Sequence, residues 1–344
     1  MRLVQFLDPE SRNQHVGLVE GDEVVDLSQP PGAPTTLYGV YYDAGGDRDG
    51  LEVALERVRA AAASSRRIPL PELLAGRPGT AGPHLVKPIC GPAGNPHAMR
   101  IWLAGVTHAD SARLREIEAK QATGDQVNVY ELKYRETASG GRPELFPKGD
   151  PDAVVGHSQA ITRPADTERL VPETELVSLY AVDARGQLDR LGYTGGNDAT
   201  DNGIEAANPL NLPQAKNWDG GCASLGPVVV TDSEFDDREV SVSCQVCRDG
   251  QRVGYKEGKT GQSHLNMPDG LNHMERMLFS RLPLRHGQVQ ALYWGTPIVF
   301  AEADLTEGLL VGDVVSMSFS GGIGTLETPV AALEDSEQYA SLRS

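Results

Sequence analysis

Apolar and polar residues alternate at the start of the chain. RLVQFLD and HVGLVEGDEVVDL carry the period of two that marks half-buried strands, and Gly21-Asp22 supplies a tight turn within the second stretch. From Leu51 to Arg66 the period changes: Leu51, Val53, Leu55, Val58 and Ala62 form an apolar stripe at broadly helical spacing. AGRPGTAGPHLVKPICGPAGNPH, dense in Gly and Pro, reads as a linker or irregular wrapping segment. Residues 1–85 are therefore expected to form a small N-terminal α/β module, and residues 86–344 a larger domain carrying the chemistry.

Near Arg100 a new pattern begins. IWLAGVTHADSARLREIEAK passes from a short apolar strand into a charged helix, with Thr107 or Asp110 as candidate caps. Gln121 to Gly141 is polar and poor in branched aliphatics, which predicts a helical excursion or a flap. Beyond Val154 the chain turns β-rich: GPVVVTD, EVSVSCQVCRDGQRVG and DVVSMSFSGG alternate or run apolar between Gly and Asp turns. One amphipathic helix interrupts them from Pro268 to Leu282, with Leu271, Met274, Met277 and Leu278 on one face. No fixed-period repeat is present. The expected class is α+β, a mixed and mostly antiparallel β-sandwich or roll with a few helices.

Composition narrows the partners. A formal charge of −17 with no offsetting basic stripe argues against a nucleic-acid backbone or an anionic membrane. No run approaches the roughly 18 apolar residues of a spanning helix, and MRLVQFLDPE lacks the apolar core of a signal peptide, so a soluble cytoplasmic protein is expected. Cys90, Cys222, Cys244 and Cys247 are too scattered for a disulfide framework. Cys244 and Cys247 are spaced C-x-x-C, but within a strand pattern and without a second pair or a nearby histidine, so they read as ordinary thiols.

The candidate chemistry lies between Val171 and Pro227. Glu173 and Glu175 are two apart in a strand-like segment, so their side chains point to the same face. Two converging carboxylates repel unless a cation binds both. Asp198, in the Gly-rich turn after the next apolar run, offers a third oxygen ligand, and such a shell suits Mg²⁺, with Mn²⁺ and Ca²⁺ as alternatives. Lys216 would add a positive or proton-transferring group.

These residues sit in ordered motifs. VPETEL, GYTGGND, LPQAK, SLGP, WGTP and LLVGDVVSMSFSGGIGTLETPV together resemble the fumarylacetoacetate hydrolase superfamily, over about Arg100 to Ala332. GVTHADSARLR, GRPELFPK and IEAANPLNLPQAK look most like its sugar-acid branch, the 2-keto-3-deoxy-D-arabinonate dehydratase-like proteins. The resemblance implies a divalent metal on Glu173, Glu175 and Asp198 that chelates the 1-carboxylate and 2-keto oxygens of a 2-oxo acid. It implies Lys216 beside the substrate, Glu144 as an acid/base on a closing segment, and Thr296 as a substrate contact. Asn197 and Thr200, which flank Asp198 and Ala199, are further candidates for substrate contact, and His108 for acid/base work. Chelation would acidify C3 and stabilise the enolate formed when its proton leaves. A lysine close to a cation and shielded from water can have a depressed pKa and act as base, while a lid glutamate, desolvated on closure, gains a raised one. A homodimer or homotetramer is expected from the family.

The chain also departs from the family pattern. Asn202 and Gly203 stand where an arginine and an acidic residue usually follow the metal aspartate, and Ser111 occupies about the position of the hydrolases' histidine. Pro147 replaces a commoner aromatic, and WGTPIVF continues into AEADL rather than a Pro-rich turn. Dehydration of a 2-keto-3-deoxy sugar acid or a related biosynthetic intermediate is the leading expectation. C–C hydrolysis or decarboxylation of a diketo acid is the second, and a binding protein on the same fold the third.

Overall fold

The computed structural model describes residues 1–43, 45–46, 48–123 and 129–334. Strands Arg2–Leu7, Gln14–Glu20 and Glu23–Asp26 pair antiparallel in succession, as their alternation predicts. The following helix spans Arg48–Ala61, a turn shorter at its end than the Leu51–Arg66 stripe suggests. Its chain leaves early to supply Arg67–Pro69, which pairs with Glu23–Val25.

The sheet does not stop at the end of this N-terminal segment. Arg2 and Leu3 lie opposite Val230 and Val229 of strand Ala223–Thr231, which carries the pairing into Leu188–Asp198, Thr174–Val182, Val289–Tyr293, Met99–Gly105 and Glu144–Pro147. Two short strands, His84–Leu85 and Val154–Val155, complete a 12-stranded sheet among the described residues. Its pairings are mostly antiparallel, but Val289–Tyr293 runs parallel to Met99–Gly105. A second sheet of five strands contains Gln251–Thr260, Val240–Arg248, Val314–Phe319, Gly324–Ala332 and Ile161–Arg163.

Each face of the large sheet is covered by a different layer. Leu176, Tyr180, Tyr193 and Leu292 pack in one core with Val242, Val246, Met317 and Phe319 of the second sheet. Helix Gly270–Phe279 adds Leu271, Met274 and Leu278 to that core. Val177, Leu179 and Ala181, the alternate positions of the same central strand, pack with Leu37, Val40, Leu51 and Leu55 of the N-terminal helices. Burial on both sides explains why Thr174–Val182 is buried at every position rather than at every second one.

Two helices cover the end of the sheet. Ala109–Thr123 and Val129–Ala138 meet through Val106, Ala112 and Tyr130, with Tyr134 packed against them. They account for part of the polar Gln121–Gly141 stretch, whose residues 124–128 lie outside the described ones. Glu116 fixes the second helix to the first: its Oε2 accepts from the Tyr130 and Glu131 N–H groups at 3.0 and 3.2 Å. Such a carboxylate satisfies donors that have no partner within the first turn of a helix. Thr107, just before the first helix, donates its hydroxyl to the Trp294 carbonyl at 2.7 Å. All four cysteines are free thiols, and no described helix is long and apolar enough to cross a membrane.

Candidate metal centre and catalytic cavity

Pairing of two long strands creates the centre. Thr174 faces Asn197 and Glu175 faces Gly196, so the end of Leu188–Asp198 lies beside the start of Thr174–Val182. Glu173 immediately precedes that strand, and the Asp198 N–H donates to its carbonyl at 2.9 Å. Asp198, more than 20 residues downstream, is thereby brought to the two glutamates. One carboxylate oxygen from each of Glu173, Glu175 and Asp198 lies within 4.8 Å of the other two, and all three side chains are buried.

Cations surround two of the three. Lys216, at the end of the short helix Leu212–Lys216, donates to Glu173 Oε2 at 2.9 Å, Asp198 Oδ2 at 2.6 Å and Thr200 Oγ1 at 2.7 Å. Arg115 donates to Glu173 Oε1 and lies 3.6 Å from Glu205 Oε2. Lys148, 0 % exposed, places Nζ 2.5 Å from Asp198 Oδ1 and donates to the Ala199 carbonyl at 2.8 Å. Glu175 has no cation in direct contact among the described residues, and its Oε2 accepts the Gly295 N–H at 2.8 Å.

Protonation follows from these neighbours. Burial opposes charge on Glu173, but Lys216 and Arg115 outweigh it and hold the carboxyl well below its ordinary range. Glu175 is pushed far above that range by burial and by the charges of Asp198 and Glu173. Burial alone would lower Lys216, yet Asp198 and Glu173 raise it, so this lysine keeps its proton. The donor set fits a hard divalent cation, because three buried oxygen ligands converge and one of them lacks a compensating charge.

Beside the trio lies a cleft of about 430 Å³, lined by Glu144, Phe146, Ser111, Arg115, Tyr130, Glu205, Lys216 and Thr296 among others. Glu144 enters it from the edge strand opposite Gly105, and burial followed by the Glu205 charge raises its carboxyl to about 7. Space for Glu144 depends on Gly105, where an added Cβ would meet Glu144 Oε2 at 2.0 Å. Next to it, Val106 is held at φ +56°, a left-handed backbone rare for a β-branched residue. Strain of this kind concentrates at functional sites. Gly295 has φ +87°, and a Cβ there would meet Thr107 Oγ1 at 2.1 Å.

Not every predicted residue reaches the cleft. Thr296 does, although its hydroxyl donates to the Ile298 carbonyl. Asn197 and Thr200 stand behind the carboxylates instead: Asn197 Oδ1 accepts the Glu173 N–H at 3.0 Å, and Thr200 accepts from Lys216. Both are completely buried and absent from the lining, so their contacts position the trio rather than meet a substrate. His108 is also outside the lining. Its Nδ1 lies 2.9 Å from Thr107 Oγ1 and its Nε2 3.0 Å from Thr260 Oγ1, while burial lowers it to about 3. A neutral ring with both nitrogens engaged is a packing residue, because it offers no nitrogen to the cleft.

Three residues without an assigned role in the sequence reading prove central: Arg115, Lys148 and Glu205. Their signals were present. Arg115 follows Ser111 by four, which places both on one helix face. Glu144, Phe146 and Lys148 alternate along one side of GRPELFPK. Asn202 does not replace a cleft arginine: its Oδ1 accepts from Arg169, and Asp201 before it caps helix Asn202–Ala207 and so presents Glu205.

A buried acidic trio at the end of a large mixed sheet, with an ionisable glutamate lining the same cleft, offers three oxygen ligands of the kind a divalent cation takes. The chain belongs to the fumarylacetoacetate hydrolase family, whose pattern, described as "Fumarylacetoacetate (FAA) hydrolase C-terminal", matches residues 118–331. It is similar to 2-dehydro-3-deoxy-D-arabinonate dehydratase of Saccharolobus solfataricus, 33% identical over 231 residues, covering 67% of this chain and 71% of the relative. A probable 2-keto-3-deoxyxylonate dehydratase of Haloferax volcanii is 33% identical over 238 residues, or 69% and 73% of the two chains. Among solved structures, 2-keto-3-deoxy-D-arabinonate dehydratase complexed with magnesium and 2,5-dioxopentanoate shares the fold at a TM-score of 0.67. That match has 24% identity and covers 97% of this chain and 100% of the other.

Proposed function

We propose that this enzyme is a divalent-metal-dependent lyase that dehydrates a 2-keto-3-deoxy sugar acid or a closely related 2-oxo acid. The observation that carries the reading is the placement of Glu144, raised to about 7, in the same closed cleft as the Glu173, Glu175 and Asp198 trio. The two dehydratase relatives support it.

Glu173, Glu175 and Asp198 would hold Mg²⁺, which would supply Lewis-acid polarisation of the 2-oxo group. Mn²⁺ and Ca²⁺ offer the same oxygen chemistry and belong in the same activation series. Lys216 keeps its proton and presents positive charge where the substrate carboxylate and the charge developing beside it would lie. Glu144 exists in both protonation states near neutral pH, so it can accept a proton from C3 and return one to the hydroxyl leaving C4. One water departs, made of that proton and that hydroxyl. Arg115 holds Glu173, while Tyr130 and Phe146 help to exclude solvent.

Hydrolysis of a C–C bond needs a group that activates water. Among the described residues no histidine lines the cleft, and Ser111 stands there instead, which favours dehydration. Incubation of the Mg²⁺-loaded protein with a 2-keto-3-deoxy pentonate should consume it with no release of pyruvate or CO₂. Glu144→Gln should lower kcat by about 10²–10⁴, and Glu173→Gln with Glu175→Gln, or chelation, should abolish turnover. Undiminished turnover after either change, or pyruvate as the product, would sink the proposal. A homodimer or homotetramer in the cytoplasm is the expected setting, and light scattering of the purified protein checks the assembly.

A further inference from the structure

The charges of the cleft are unevenly distributed beyond the metal trio. Glu205 belongs to the lining but lies outside the group of ligand oxygens within 4.8 Å of one another. Glu144 shares the lining with it. The lining has two cations among the described residues, Arg115 and Lys216, and both already face carboxylates: Arg115 faces Glu173 and Glu205, and Lys216 faces Glu173 and Asp198. A 2-oxo acid anchored at the trio by its 1-carboxylate and 2-oxo group would share this cleft with Glu144 and Glu205, and among the described lining residues no cation is left uncommitted to receive a second anion. A carboxylate accepts hydrogen bonds from hydroxyls and repels another carboxylate, and a like charge brought close in a water-poor site costs several kcal/mol.

We infer that Glu205, held against Arg115 on helix Asn202–Ala207, is a specificity-determining residue that rejects 2-oxo acids bearing a second carboxylate and admits those with a neutral, hydroxylated far end. The inference rests on the proposed anchoring of a 2-oxo acid at the trio. It separates sugar monoacids from diacids of the same length. The charge of Glu205 also reaches Glu144, where it is the largest influence after burial, so the two carboxyls face a common space.

Calorimetric titration of the Mg²⁺-loaded protein with 2-oxoglutarate and with 2-oxovalerate tests this, because the two ligands share five carbons and the 2-oxo acid end. The readout is the ratio of their Kd values, in which effects common to the anchored end cancel. The wild type should bind 2-oxovalerate at least about tenfold more tightly. Glu205→Gln, which removes the charge and keeps the shape, should bring the ratio to within about threefold of unity. Glu205→Asp, which keeps the charge, should preserve the preference. Equal affinity of the wild type for both ligands, or an unchanged ratio in Glu205→Gln, overturns the assignment while oxalate still binds. Failure of oxalate and pyruvate to bind the Mg²⁺-loaded wild type overturns the anchoring and this inference with it.

Discussion

Within the trio, Glu173 faces Arg115 and Lys216, and Asp198 faces Lys148 and Lys216, whereas Glu175 faces only the Gly295 N–H among its close contacts. Burial and the charges of Asp198 and Glu173 make Glu175 hold its proton more tightly than an ordinary glutamate, and it must lose that proton to ligate a cation. Metal affinity should therefore rise with pH until Glu175 is ionised, and Mg²⁺ binding should release protons. Titrations in two buffers of different ionisation enthalpy read this directly, and a buffer-independent heat would contradict it. Lys148 carries a second prediction. Removing one partner of a buried ion pair leaves an uncompensated charge, so Lys148→Met should destabilise the metal-free protein by about 3–5 kcal/mol. Mg²⁺ should restore part of that loss in thermal unfolding. The glutamates were legible because strand periodicity and their motif agree. Lys148 was legible only through its alternation with Glu144 and Phe146; that it lies under Asp198 is a contact between segments distant in sequence.

At the scale of elements, the site depends on how closely two neighbouring strands approach. Glu144 stands opposite Gly105, and the glycine leaves the space its carboxyl occupies. Gly105→Ala should displace Glu144 and lower kcat by about 10²-fold or more, since a misplacement of about 1 Å at a reacting group has that order of effect. Magnesium affinity should change little, as the trio lies on other strands. Loss of metal binding in step with activity would show that Gly105 supports the centre rather than the acid/base. The paired helices Ala109–Thr123 and Val129–Ala138 were foreseen only in outline, because the sequence there is polar and weakly periodic. Their arrangement comes from contacts such as Glu116 with the Tyr130 and Glu131 N–H groups. His108 shows the opposite error: a polar residue at a helix start looked available, and burial between Thr107 and Thr260 removed it from the cleft.

For the whole molecule, residues 1–85 supply the continuation of a sheet whose other strands carry or adjoin the acidic trio. Strand Arg2–Leu7 covers the edge of Ala223–Thr231, and the N-terminal helices cover one face of Thr174–Val182. Thermal or denaturant unfolding should show one cooperative transition by both near- and far-UV signals. Deleting residues 1–85 should give an aggregating product with no measurable Mg²⁺ binding, because it bares a strand edge and an apolar sheet face. A soluble, metal-binding truncation would show instead that the segment is independently dispensable.

The sequence by itself determined the strand-rich character of the chain, the shared face of Glu173 and Glu175, Asp198 as the candidate third ligand and the likeness to the fumarylacetoacetate hydrolase family. Those features depend on local period or on short motifs, so neighbouring residues encode them. Tertiary structure alone decided that the N-terminal strands join the main sheet, that Lys216 lies between two carboxylates, that His108, Asn197 and Thr200 stay out of the cleft lining, and that Arg115 and Glu205 join that lining while Lys148 lies under Asp198. Each of these outcomes is an electrostatic or packing relation between segments distant in sequence. Burial then amplifies it, because in a water-poor interior the nearest charge governs whether a group is ionised and what it can bind.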